Sequence, residues 1–164
     1  MNRITSSYTY SELNDYTELP EAEQKLVKLS REMTQAAYSP YSNFRVGAAV
    51  LLENGTITKG SNQENAAYPS GLCAERVAVF SASANNPNTA IKAIAISASS
   101  PKKIIEKPVS PCGSCRQALI EYEAKQKKPI KVILTGEKGK VLVIESISDL
   151  LPLHFTNVDL QINE

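Results

Sequence analysis

The segment that most constrains this chain is IKVILTGEKGKVLVIE, residues 130–145. Two runs that are apolar at nearly every position, IKVIL and VLVIE, flank the six residues TGEKGK. Runs of this length and Val/Ile content read as buried strands. A parallel pair would need a crossover of about a dozen residues or more, so these last two strands must be antiparallel. Upstream, VGAAVLL (46–52) reads as another buried strand, ENG (53–55) as a hairpin signal and TITKG (56–60) as the return strand. IKAIAISA (91–98) adds a further strand.

Helical patterns lie between these runs. Pro20 opens one, with Glu18, Glu21 and Glu23 at the positive end of its dipole and Leu26, Leu29, Met33 and Ala36 at helical spacing. Pro40 ends it, because the residue before a proline is pushed out of the α region. Two more helices are expected from about Cys73 to Ala84 and from about Cys112 to Lys127. SISDLLP starts like a short capped helix, with Ser146 and Asp149 at capping-box spacing. The order α-β-β-α-β-α-β-β-α contains two β-α-β units. It implies an α/β fold with a mixed sheet of about five strands and helices on both faces. Residues 1–18 are polar and without period, and are expected as an extension that is disordered or lies on the surface. Residues 19–164 form one domain with no linker or repeat.

The balance of 18 Lys and Arg against 17 Asp and Glu leaves a net charge of +1, which opposes a large surface for a nucleic-acid polymer. The lysines at 102, 103 and 107, and at 125, 127, 128 and 131, read as solvated surface and as a helix C-terminus complementing its dipole. No apolar run reaches membrane-spanning length. The N-terminal segment lacks the apolar core of a secretory signal, so a cytoplasmic location is expected. Three cysteines cannot all pair within the chain, and a reducing compartment would leave them free.

All three cysteines fall at the starts of the two central helices. Cys73 precedes Ala74 and Glu75, and Cys112 and Cys115 lie in SPCGSCRQ. A separation of three on a helix puts the second pair on one face. Zinc in a catalytic site takes three protein ligands and keeps a fourth position open, so three thiolates match that count and fall one short of a closed structural site. His154, the only histidine, lies outside both motifs but could in principle be a fourth ligand. Three unconnected buried thiols are the plain alternative, and they leave the C-x-E and P-C-x-x-C contexts unexplained. A redox C-x-x-C is another, with Cys112 activated at a helix N-terminus, but Cys73 and Glu75 would then have no task.

The segments PYSNFRVGAAVL, NQENAAYPSGLCAER, SPCGSCRQ and LLPLHF together resemble cytidine deaminase of the small, homo-oligomeric type, over roughly residues 20–162. The resemblance implies a three-layer fold and one Zn2+ per subunit on Cys73, Cys112 and Cys115. It implies hydrolytic deamination of cytidine and deoxycytidine to uridine and deoxyuridine, in pyrimidine salvage. Glu75 would take a proton from the attacking water, deliver it to ring nitrogen 3, and later protonate the leaving amino group. Arg76 would offset thiolate charge, and Arg116 also adjoins a ligand in sequence. Asn62 and Glu64 resemble the pair that binds the ribose 3′-hydroxyl, as an amide and a carboxylate can. Phe44 matches an aromatic that packs on the base. Phe155 and Tyr68 match positions at subunit boundaries, within a homotetramer whose sites lie at its interfaces. Ser61 and Val77 depart from the residues common in relatives, and so does the PLH before Phe155.

Two other readings remain at this point. A related deaminase could act on a cytosine-nucleoside antibiotic such as blasticidin, although NQEN and PYSNFRVG favour an ordinary nucleoside. A non-catalytic zinc module would explain the thiols but not Glu75 or the missing fourth ligand. A polynucleotide-editing deaminase is opposed by the tight turn between the last strands and by the near-zero charge.

Overall fold

A computed structural model describes residues 1–160; the last residues of the expected domain, 161–164, lie outside the described residues. Three helices, α1 (Glu21–Met33), α2 (Ala74–Asn85) and α3 (Gly113–Gln126), pack on a six-stranded sheet. The strands are β1 (Ser11–Leu13), β2 (Arg45–Leu52), β3 (Ile57–Ser61), β4 (Ile91–Ser99), β5 (Lys131–Thr135) and β6 (Val141–Ile144), in the spatial order β1-β6-β5-β4-β2-β3. β4 and β5 are parallel, and the other neighbouring pairs are antiparallel. β3 and β4 flank β2 and both oppose it, so they share a direction, and α2 is the crossover between them. β5 and β6 pair antiparallel across the short turn, as their spacing requires.

Period-two alternation divides the strand residues between two cores. Ala48, Val50, Leu52, Ile94, Ile96, Val132 and Leu134 face the layer of α2 and α3. Ala49, Leu51, Ala93, Ala95 and Ile133 face α1, whose Leu26 and Val27 are fully buried. Each such Leu or Ile contributes about 1.5–3 kcal/mol by leaving water, so the three layers are held mainly by these residues.

Glycines set how closely two of the helices approach. A Cβ on Gly47 would stand 2.1 Å from the Ser30 carbonyl of α1. On Gly60 of β3 it would stand 2.6 Å from the Ala74 carbonyl and from the Ala78 amide nitrogen of α2. Gly60 thus seats the first turn of α2 on the sheet.

Three local details differ from the sequence expectation. α1 stops at Met33 and continues as a 3-10 turn over Thr34–Ala36, well before Pro40. The sixth strand, β1, comes from the polar extension: Leu13 packs beside Val141 and Val143, and Glu12 pairs with Lys140. One inward apolar residue in three leaves no periodicity to read. Glu18 belongs to a separate capped turn, Tyr16–Glu18, in which Asp15 accepts from the Thr17 N–H.

The turn Ile147–Leu150 is anchored by α3. The buried Glu123 carboxylate accepts from Ile130 N at 2.7 Å, Ser146 Oγ at 2.6 Å, Ile147 N at 3.1 Å and Ser148 N at 3.3 Å, and also from Ser148 Oγ. Ser146 caps the turn by accepting from the Ser148 N–H, while its own hydroxyl proton goes to Glu123.

Candidate metal centre and substrate cavity

Helices α2 and α3 bring their N-termini together on one side of the sheet. Cys73 is the N-cap of α2 and Cys112 the N-cap of α3, both with extended backbone angles, and Cys115 lies in the first turn of α3. Their carbonyls start the helical ladders, accepting from Val77 N and Arg116 N. The unpaired N–H groups of each first turn carry the equivalent of about half a positive charge, which favours thiolates there.

The three sulfurs lie within 4.8 Å of one another, with Cys73 Sγ and Cys112 Sγ 4.0 Å apart. Tetrahedral zinc–thiolate bonds of about 2.3 Å put sulfurs about 3.8 Å apart, so the trio fits a zinc ion with little adjustment. Cys115 is buried, Cys73 half-buried and Cys112 exposed. Among the described residues this is the group of three or more metal-ligating side chains that could hold an ion. His154 is not in it; its Nδ1 lies 2.9 Å from the Leu151 carbonyl.

The thiols are electrostatically unequal. Cys73 is pulled down to about 5, first because Cys115 donates to its sulfur and then because Arg76 lies beside it, against the opposing effect of burial. Cys115 is raised as the donor in that pair and as a buried group. Arg76 Nη2 donates to Cys73 Sγ at 3.9 Å, while its buried Nε has no partner among the described residues. Arg116 does not act on the sulfurs in this way. Its Nε donates to the Pro111 carbonyl at 2.9 Å and its Nη1 to the Leu150 carbonyl at 2.6 Å, so the charge-compensating part expected beside Arg76 does not fall to it.

Glu75 is 4% exposed, and its Oε2 has no hydrogen-bond partner among the described residues. Burial pushes its carboxyl above the usual range, and the Cys73 charge adds to that. A buried carboxylate oxygen without a partner is costly unless a ligand or metal-site group satisfies it, so it points to a binding event at this place.

A cavity of about 540 Å3 opens beside Cys73 and Arg76, within the range of small-molecule sites. Asn62, Glu64 and Tyr68 line it, as do Tyr41, Ser42 and Leu72. Glu64 accepts from Tyr41 N at 2.9 Å, Ser42 N at 3.3 Å and Ser42 Oγ, and the Ser42 hydroxyl is the main reason its carboxyl is held below the usual range. Asn62 accepts from Val46 N at 2.8 Å and donates to the Phe44 carbonyl at 3.0 Å. Both side chains therefore brace residues 41–46 and keep unused hydrogen-bonding capacity. Tyr68 is 75% exposed and meets Tyr41 edge-on at 6.0 Å. Phe44 and Phe155, both exposed, are not among the lining residues of this cavity. Ser42 and Tyr41 join the site through contacts to Glu64 that the sequence signals only by their place beside Phe44 in PYSNF.

The family model described as "Cytidine and deoxycytidylate deaminase zinc-binding region" matches residues 20–129. A cytidine deaminase of Sporosarcina psychrophila is 42% identical over 137 residues, 84% of this chain and 93% of that relative. The crystal structure of cytidine deaminase from Burkholderia pseudomallei superposes with a TM-score of 0.69 at 40% identity, covering 80% of this chain and 97% of that one. A blasticidin-S deaminase of Bacillus cereus is 28% identical over 134 residues, 80% of this chain and 91% of that relative.

Proposed function

The chain belongs to the zinc-binding cytidine and deoxycytidylate deaminases, and on that premise we propose that it hydrolyses cytidine and deoxycytidine to uridine and deoxyuridine with release of ammonia. The observation that carries this reading is Glu75. It is a buried carboxylate with an unpartnered oxygen, two residues from one of three clustered thiols, where two helix N-termini meet.

Cys73, Cys112 and Cys115 would hold one zinc ion. When bound, zinc supplies the Lewis acidity that brings water within reach of deprotonation near neutral pH. Glu75 takes one proton of the attacking water and delivers it to ring nitrogen 3; it then takes the second, from the hydroxyl now on ring carbon 4, and gives it to the departing amino nitrogen as the carbonyl forms and the C–N bond breaks. Burial raises its pKa above the usual carboxylate range, which makes the protonated form easier to reach than for an exposed carboxylate and so suits a group that must both accept and donate. Arg76 offsets thiolate charge through its contact with Cys73.

Asn62 and Glu64 bind the ribose 3′-hydroxyl. The amide keeps a second N–H and the carboxylate keeps free lone pairs beyond the bonds they make to residues 41–46. Phe44, exposed outside the cavity wall of one subunit, packs on the base; Tyr68, in that wall, lies where subunits meet, and Phe155 completes the site of a neighbouring subunit in a cytoplasmic homotetramer. The exposure of Phe44, Tyr68 and Phe155 supports a site finished by a second copy.

The test is a panel of cytidine, deoxycytidine and a cytosine-nucleoside antibiotic, followed by the loss of absorbance on deamination. Zinc content and solution mass are measured on the same sample. Turnover of the two nucleosides with one zinc per subunit is expected, and is lost with a chelator. Turnover of the antibiotic alone, or of nothing by zinc-loaded protein, would overturn the reading. A monomeric mass would remove the assembly.

A further inference from the structure

The three thiols are not held equally well. Cys115 is buried inside a helix, and Cys73 caps a helix that Gly60 seats against β3. Cys112 is exposed and lies just outside the helix, as an N-cap whose side chain makes no capping hydrogen bond. Its direction depends on the plane of the Pro111–Cys112 peptide, through which the chain enters α3.

Arg116 grips that peptide. Its Nε donates to the Pro111 carbonyl at 2.9 Å and its Nη1 to the Leu150 carbonyl at 2.6 Å. Leu150 ends the turn that Glu123, two helical turns further along α3, anchors through Ser146, Ile147 and Ser148. The brace therefore starts and finishes on the same helix, and the peptide before Cys112 is fixed to a rigid turn. A planar guanidinium can serve two carbonyls at once, whereas an ammonium is a single point of charge.

We propose that Arg116 is a positioning residue for Cys112, tying the outermost metal ligand to the turn Ile147–Leu150 through the carbonyls of Pro111 and Leu150. The inference rests on the reading that the three cysteines hold zinc. Outer partners that orient metal ligands typically change metal affinity or activity about 10- to 100-fold when lost.

The experiment compares zinc-loaded wild type with Arg116→Ala and Arg116→Lys. Zinc transfer to an excess of the chromophoric chelator 4-(2-pyridylazo)resorcinol is timed, and kcat and KM are measured alongside. Zinc release should be about 10- to 100-fold faster in Arg116→Ala, with kcat reduced and KM within about twofold. Arg116→Lys keeps the charge but not the fork, and should behave like Arg116→Ala. Release at the wild-type rate, even with a lowered melting temperature, would overturn the proposal by leaving Arg116 a purely structural role. Full rescue by lysine would overturn it by leaving charge alone as the cause. If Arg116→Ala does not fold, Arg116→Lys decides by the same two readouts. Wild type that binds no zinc would overturn the metal reading and this inference with it. One tightly held zinc in all three proteins would overturn only the inference.

Discussion

Replacing Gly60 with alanine should damage catalysis from outside the site. The added Cβ would lie 2.6 Å from the Ala74 carbonyl oxygen and from the Ala78 amide nitrogen, and 3.1 Å from the Ala78 Cα. Ordinary contact begins near 3.4 Å, so α2 must withdraw from β3 by about 0.8 Å. All the opposing atoms are backbone of the first five residues of the helix, so no side chain can rotate away. That stretch carries Glu75 and Arg76 and is capped by Cys73, while Cys112 and Cys115 stay on α3. The strain should cost about 1–3 kcal/mol of stability, read as a lower urea midpoint at constant m-value. A shift near 1 Å in a catalytic group can lower turnover about 100-fold, so kcat on cytidine should fall by one to two orders of magnitude, roughly. Zinc should also transfer faster to a chelator, since one thiol has moved against two. Activity and zinc retention within about twofold of wild type, in a folded protein, would refute the idea that Gly60 sets the position of α2; twofold is well below the loss expected for such a shift.

Glu75→Gln should keep one zinc per subunit and lose about 100- to 10,000-fold in kcat, the usual span for a general acid–base group. A collapse in metal content, measured by atomic absorption, would make Glu75 structural instead. Ser42→Ala removes the hydroxyl that holds the Glu64 carboxyl below its usual range. A lowered folded pKa keeps Glu64 ionised above the ordinary carboxylate value, and that charge is lost only as pH falls through the lowered value; the variant should lose it at higher pH. KM for cytidine should rise, and the acid limb of kcat/KM should shift upward in pH; an unmoved profile would separate Ser42 from the substrate site. Phe155→Ala should raise KM without unfolding the protein, because the ring is exposed within one subunit and takes no part in that subunit's core. An unchanged KM would take Phe155 out of the site.

The features legible in the sequence were those carried by short-range pattern. The apolar runs at 46–52, 91–98 and 130–145 lie in strands β2, β4, β5 and β6, and the turn TGEKGK required the antiparallel pairing that β5 and β6 show. Cys73 and Cys112 were expected at helix starts and stand one residue outside them, as N-caps. The missed features depend on partners distant in sequence. Glu123 looks like any helix carboxylate until the turn 23 to 25 residues later folds back on it. Arg116 looked like a charge beside a ligand, because adjacency in sequence does not say which way a guanidinium points. β1 was invisible because its stability comes from pairing with β6, not from a pattern of its own.

The direction of Arg116 also changes how the charge of the site is balanced. Three thiolates on a divalent ion leave a net charge of about −1, and an ionised Glu75 in the same wall would add another. A chain with a net charge of +1 supplies no general field to offset this. With Arg116 committed to two carbonyls, the local positive charge comes from Arg76 and the two helix N-termini, each of the latter worth about half a charge. That positive charge is comparable to the negative charge it faces, which lets the site hold the thiolates. It leaves no surplus that would pin Glu75 in its ionised form. In the protein itself, burial is the main cause that raises the Glu75 carboxyl; the Cys73 charge adds to it and Arg76 opposes it. A carboxyl set in this way can take up and give back a proton, as the deamination of cytidine requires twice in each turnover.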